Sequence, residues 1–157
     1  MVAGSISTTR DAPIVNAKTR PVRAALRIPA AIYADLRRHA ARMPNEEVCG
    51  LLAGRCGVVD RLVEVANIAD DRARRFEMDP AAQIAAFRDI DASGQSLVAV
   101  YHSHPRGPNY PSAVDLDLHF YPEAMMAILC PWRDDRLAVR VFAVREGWIV
   151  EQAMDVV

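Results

Sequence analysis

Two histidines separated by one residue, His102 and His104, end an apolar run, Leu97-Val98-Ala99-Val100-Tyr101. Side chains two apart on a strand leave the same face, so both imidazoles can converge on one metal ion. A loop stiffened by Pro105, Pro108 and Pro111 and containing Gly107 follows, and then Ser112 and Asp115 stand three apart. That spacing puts both on one side of a helix's first turn and delivers a carboxylate as third ligand with a hydroxyl beside it. Two imidazoles and one carboxylate are a set found at catalytic zinc, where the fourth tetrahedral position is left to water. A structural site would be closed by four protein ligands, and no Cys-x-x-Cys is present to close it. At an open site the pKa of water falls from about 15.7 to about 7.

That chemistry needs a proton acceptor. Glu46 and Glu47 lie where the apolar segment beginning at Val48 starts, and a carboxylate there could take the proton and later hand it to a leaving amine. The residue types alone do not choose between the two. Ser112 would support a tetrahedral oxyanion, a role in which one donor is worth roughly 3 kcal/mol of barrier. Each piece also has an ordinary reading. A lone His-x-His occurs in many loops, Ser-x-x-Asp at a helix start is close to a capping box, and Asp115 also complements a helix dipole. Glu46-Glu47 reads equally as an exposed strand start. His119, four after Asp115, either approaches the site or packs at the surface.

The elements that must hold these groups follow from periodicity. Ile32, Leu36, Ala40 and Met43 recur at helical steps between Pro29 and Pro44, predicting a helix over 30–43 with His39 near its apolar side. Val48 to Gly54 reads as a strand running to a turn, and a second strand from Val58 to about Ile68 completes a hairpin. Asp70 to Arg75 is a charged connection, either a solvated loop or a surface for an anionic partner. Asp79-Pro80 opens a helix over 80–91 with Ile84, Phe87 and Ile90 on its buried side. Leu97 to Tyr101 is apolar throughout, as in a central strand covered on both faces. A helix over 112–121 is expected to bury Val114, Leu118 and Tyr121. Strands are expected at 125–130, 137–144 and 148–153, with Arg145-Glu146-Gly147 as a turn. Three helices among five or six strands make a mixed α/β (α+β) fold.

The chain has 157 residues, 52% of them hydrophobic, which suits one domain with a proper core. Residues 1–21 read as a flexible leader and 22–157 as the domain. A net charge of −1 without a long run of one sign lacks the footprint of a nucleic-acid or membrane-surface binder. No apolar stretch approaches the ~20 residues of a membrane span, and the leader has no secretory apolar block, so a soluble cytoplasmic protein is expected. Cys49, Cys56 and Cys130 are odd in number and read as reduced, partly buried thiols. Nothing in the sequence bears on oligomeric state.

His102-Ser103-His104-Pro105, six residues, then Ser112-x-x-Asp115, preceded by Glu47-x-Cys49-Gly50-Leu51-Leu52-x-Gly54, resembles the JAMM metalloprotease motif of the MPN-domain family. The resemblance runs from about residue 24 to 150 and includes Arg75-Phe76 and Asp79-Pro80. It implies a curved mixed β-sheet flanked by about three helices, with cytidine-deaminase-like layering. It implies one zinc ion per chain on His102, His104 and Asp115, with Glu47 as general acid/base and Ser112 at the oxyanion. Glu47 is favoured over Glu46 because the family's glutamate stands two residues before the cysteine. Family members cut peptide or isopeptide bonds after the C-terminal Gly-Gly of ubiquitin or a ubiquitin-like protein, and small bacterial members resemble enzymes that trim adducts from sulfur-carrier proteins. Short loops at 69–76 and 131–136 favour a prokaryotic ubiquitin-like or sulfur-carrier substrate, such as a carrier bearing C-terminal cysteine, over a polyubiquitin chain. Two other readings stay open: a non-catalytic MPN scaffold, and a zinc amidase acting on a small molecule.

Overall fold

The computed structural model describes residues 26–135, 138–145 and 148–157. The leader expected at 1–21 and the Glu146-Gly147 part of the expected turn lie outside them. In chain order the elements are β1 (Leu26–Ile28), α1 (Ala30–Arg42), β2 (Cys49–Arg55), β3 (Val58–Val65), α2 (Pro80–Ala92), β4 (Ser96–Ser103), α3 (Ala113–Asp117), β5 (Met125–Leu129), β6 (Val139–Arg145), β7 (Trp148–Gln152) and β8 (Met154–Val156).

The strands form one mixed sheet in the order β7-β6-β5-β4-β2-β3-β1-β8. β4 runs parallel to β5, and β1 is parallel to both β3 and β8, while the remaining neighbours are antiparallel. β2 and β3 form the expected hairpin through a two-residue turn at Cys56 and Gly57, with φ of 54° and 76°. Positive φ at both turn positions matches the right-handed strand twist. β7 and β8 stand at opposite ends of the sheet order, yet only Ala153 separates them in the chain. The sheet therefore curls until one bent strand pairs with β6 along its first half and with β1 along its second.

Alternation along the strands serves two cores. On one face Leu26, Ile28, Leu52, Val59, Tyr101, Leu129 and Val141 pack with Leu36 and Ala40 of α1. On the other, Cys49, Leu51, Ala53, Val65 and Val100 pack with Ala86 and Ile90 of α2. Both faces of β2 and β4 are covered, which is why their sequences are apolar at consecutive positions. Cys49 and Cys130 are buried, Cys56 is exposed, and all three are free. Among the described residues no helix is long and apolar enough to cross a membrane.

The structure corrects several sequence expectations. Among the described residues there are eight strands rather than five or six: β1 and β8 have three residues each, too few for a visible period, and the run expected at 148–153 breaks at Ala153 into β7 and β8. β3 ends at Val65, and beyond it only Asn67 bridges to Met78. The helix expected over 112–121 is the five-residue α3, because Val114 and Leu118 face outward, 48% and 47% exposed, and no apolar stripe is buried to extend it. In α2 Ile90 is buried and Phe87 packs on the core as expected, joined by the buried Ala86, whereas Ile84 is exposed; Met43 of the first expected stripe is exposed too.

His39 is a packing residue: its Nδ1 lies 2.8 Å from the buried Tyr101 hydroxyl. Burial lowers its pKa below the ordinary histidine value, opposed by the Glu64 carboxylate and assisted by Arg42. A depressed folded-state pKa contributes stability above the unfolded value of about 6.5 that is lost as pH falls through the folded one. Denaturant titrations should thus show the parent losing more stability than His39→Gln between pH 7 and pH 5. Gly50 faces the same tyrosine: a Cβ there would lie 2.2 Å from the Val63 carbonyl and 2.6 Å from the Tyr101 ring and hydroxyl. Gly50→Ala should cost about 3 kcal/mol or more in urea unfolding, since neither the ladder carbonyl nor the core ring has room to yield.

Candidate metal centre

The site is built at the C-terminal end of β4. Cys49 of β2 is the cross-strand partner of His102, and Ile128 of β5 flanks it on the other side, so His102 is fully buried between two strands. Ser103 points away from the histidines and locks the strand end to the segment before β2. Its hydroxyl accepts the Val48 N–H at 2.9 Å and its own N–H donates to the Val48 carbonyl at 2.9 Å. His104 is held by its N–H to the Leu129 carbonyl at 2.8 Å. These backbone bonds fix both imidazoles and Glu47, the neighbour of Val48, in one frame.

The Nε2 atoms of His102 and His104 are 2.9 Å apart, and Asp115 Oδ1 and Oδ2 lie 3.1 and 3.3 Å from them respectively. Tetrahedral bonds of 2.0–2.1 Å set ligand atoms about 3.3 Å apart, so the three groups fit one zinc-sized cation. The His104 Nδ1–H donates to the Pro108 carbonyl at 2.7 Å, which leaves the Nε2 lone pair facing inward. The His102 ring stacks on Phe76, with centroids 4.6 Å apart and planes 26° apart.

Asp115 comes from the first turn of α3. Its Oδ2 accepts the Ser112 N–H at 2.6 Å while the Ser112 hydroxyl accepts the Asp115 N–H at 3.2 Å. This is the capping box that the sequence offered as the ordinary reading. It coexists with the chemical one: the cap aims the carboxylate at the imidazoles, and the serine hydroxyl keeps its proton free to donate elsewhere.

The structure separates the two glutamates. Glu46 is part-exposed and pairs with Arg72 at 3.1 Å. Glu47 is buried, its ligand atom lies within 4.8 Å of those of His102 and His104, and its Oε2 has no hydrogen-bond partner. A buried carboxylate oxygen without a partner among the described residues, beside two imidazole nitrogens at hydrogen-bond distance, makes Glu47, His102 and His104 a candidate group for holding a cation.

Burial pushes the Glu47 carboxyl up to about 7, against the lowering effect of His104 and with added repulsion from Asp115 and Asp71. Burial also lowers His102, opposed by Asp115. For His104 burial is outweighed by its bonds to Asp115 and to the Pro108 carbonyl, and its pKa is raised. Burial alone would raise Asp115 as well, but hydrogen bonds from both histidines and Ser112 hold it well below the usual carboxylate range.

Two cavities flank the centre. One, of about 390 Å³, has His102 and Asp115 on its floor and Phe76, Met78, Leu118 and Phe120 among its walls. The other, of about 400 Å³, is lined by Glu47, His104 and Ser112 together with Ala73, Arg74 and the Arg106–Pro108 loop. His119 lines the first cavity but its Nε2 faces the Ala124 carbonyl at 3.2 Å, outside the cluster. Tyr110 packs edge-on against Phe142. The loop arginines Arg72, Arg74 and Arg75 each face an acidic neighbour, Glu46, Asp71 and Asp70. Sequence reasoning missed Ser103 and the Pro108 carbonyl as the groups that orient the site; the available signal was the serine alternating between two histidines.

Residues 29–142 match the family model described as prokaryotic homologs of the JAB domain. A probable TtuB-protein conjugate cleaving protease of Thermus thermophilus is 35% identical over 91 residues, 58% of this chain and 61% of that protein. The desampylase of Haloferax volcanii is 33% identical over 64% of this chain and 73% of its own length. The CysO-cysteine peptidase of Mycobacterium tuberculosis is 28% identical over 76% and 82%. A solved structure from Desulfitobacterium hafniense superposes with TM-score 0.75 at 26% identity, covering 84% of this chain and 92% of that one. A JAB1/MPN domain protein from Archaeoglobus fulgidus shares the fold, with TM-score 0.52 at 21% identity over 82% and 95%. With nearly three-quarters of its residues inside the family model and its sheet superposing on JAB1/MPN neighbours, the chain belongs to the prokaryotic homologs of the JAB domain.

Proposed function

We propose that this chain is a zinc-dependent peptidase or isopeptidase that cuts the amide bond after the C-terminal Gly-Gly of a ubiquitin-like or sulfur-carrier protein. The observation that carries the reading is the buried Glu47 carboxylate, whose Oε2 has no hydrogen-bond partner among the described residues, beside His102, His104 and Asp115 in a site flanked by cavities. The relatives named as conjugate-cleaving protease, desampylase and carrier-cysteine peptidase support the kind of substrate.

In this reading His102, His104 and Asp115 hold a single zinc ion. When bound, zinc would acidify water and polarise the scissile carbonyl. Glu47, kept outside the ligand set and raised toward neutrality by burial, accepts the proton of the attacking water and delivers it to the departing nitrogen. The Ser112 hydroxyl accepts from the Asp115 N–H and directs its proton at the developing oxyanion. The apolar cavity, with Phe76 and Leu118 among its lining residues, receives the carrier's tail, because two glycines without side chains enter a narrow cleft in extended form. The departing group occupies the cavity of Glu47, Arg74 and Arg106, next to the group that protonates it.

The test is incubation of zinc-loaded protein with ubiquitin-fold carriers extended beyond Gly-Gly, read by intact mass. Removal of the extension supports the reading; a panel left uncut, alongside turnover of small amides, would replace it with the amidase alternative. His102→Ala and Asp115→Ala should lose bound zinc and turnover together, measured by metal analysis and rate. Glu47→Gln should retain zinc and lose at least about a hundredfold in kcat, the scale of a general acid/base; a glutamine variant as fast as the parent removes Glu47 from the mechanism.

A further inference from the structure

Asn67 stands just past the end of β3, and its side-chain amide is fully used. Nδ2 donates to the Glu47 carbonyl at 2.8 Å and to the Arg75 carbonyl at 3.1 Å. Oδ1 accepts the Ala69 N–H and the Glu77 N–H, each at 3.0 Å. An amide side chain offers two donors and accepts through two lone pairs, so one residue ties together four main-chain groups from three places in the chain.

Glu47 lies before the first residue of β2 and is not among the ladder pairs of that strand. Its N–H donates instead to the Arg72 carbonyl at 2.7 Å, and its carbonyl accepts from Asn67. Both main-chain polar groups of Glu47 are thus held by the segment 67–77 rather than by the sheet. Its Oε2 has no partner to hold it from the far end, so where that oxygen sits depends on where its backbone is held. The same segment supplies Phe76, stacked on His102, and the wall residues Arg75 and Glu77 of the apolar cavity. His102, His104 and Asp115 are each also anchored from outside that segment, by β5, by Pro108 and by the Ser112 cap.

We propose that Asn67 is a positioning residue for Glu47: it fixes the acid/base carboxylate relative to the metal ligands and couples it to the wall that lines the substrate tail. This rests on the proposed role of Glu47 in proton transfer. The consequence is that loss of the Asn67 amide impairs the step Glu47 performs while leaving the ligand set intact. A residue that served only to keep the loop folded would lower stability or substrate affinity with no dependence on Glu47.

A double-mutant cycle on the full, zinc-loaded chain separates the two. Asn67→Ala, and Asn67→Asp, which keeps the acceptors and removes both donors, are compared with the parent and in the Glu47→Gln background. Single-turnover rates are read by mass on a carrier extended past Gly-Gly. Expected are an about ten- to hundredfold lower kcat with unchanged zinc content in the parent background, and less than about a twofold further loss when Glu47 is already glutamine. Equal fold-losses in both backgrounds overturn the proposal. A readout free of turnover runs beside it: amide hydrogen exchange at Glu47 should rise by about tenfold or more in both Asn67→Ala and Asn67→Asp, and at Glu77 in Asn67→Ala, where its acceptor is lost, with the His104 amide unchanged. Unaltered Glu47 exchange also overturns the proposal. If Asn67→Ala does not fold, Asn67→Asp and Asn67→Ser carry the same comparison. Should the parent cut no carrier at all, it is the proposed function that fails, and the exchange measurement alone decides whether Asn67 holds Glu47.

Discussion

Two imidazole nitrogens 2.9 Å apart, closed in by a carboxylate and faced by a second one, form an arrangement that a folded chain does not keep without cause. Four polar side chains are withdrawn from water there, and the surrounding sheet supplies no bond to the Glu47 Oε2 or the His102 Nδ1. Burying such groups unpaired costs on the order of 1–3 kcal/mol each. The core therefore has to over-determine the site, and it does so through register. Cys49 opposite His102 and Val48 bonded twice to Ser103 mean that sliding β4 by one residue would turn both histidines into the α1 core.

The site was largely legible in the sequence because its determinants are local. His102 and His104 two apart on an apolar strand, and Ser112 and Asp115 three apart behind prolines, state their own geometry. The structure shows the Ser112–Asp115 capping box with its carboxylate 3.1 and 3.3 Å from the two imidazoles, so the ordinary reading of Ser-x-x-Asp is compatible with the proposed chemical one. Glu47 could not be told from Glu46 by residue type, since the difference lies in a salt bridge to Arg72 for one and burial for the other. Asn67 was invisible for a related reason: an asparagine after a strand reads as a turn residue, and its four partners are spread over residues 47 to 77.

The fold was legible where periods are long and lost where they are short. α1, α2 and the β2–β3 hairpin stand close to their expected bounds. The three-residue strands β1 and β8 carry no period of their own; β1 is held between β3 and β8, and β8 is there because β1 offers it an edge. α3 stops after five residues because Val114 and Leu118 face outward, Leu118 at the cavity, rather than into a core. The apolar pattern of 114–121 is thus split, with Val114 exposed, Leu118 at the cavity and Tyr121 packed on the core, which a helical wheel cannot distinguish from an interior stripe.

The bent strand at Ala153 has a kinetic meaning. Leu26 meets Met154 across most of the described chain, and the sheet has no closed form until that meeting occurs. Such pairings carry the largest loop-closure entropy in the molecule and arrive last. On a ribosome, β1 would leave the exit tunnel long before β8 existed, while the centre of the sheet, with the candidate site at its strand ends, has its partners earlier. The fastening of the two margins is then a final zippering step, late in time and remote from the chemistry.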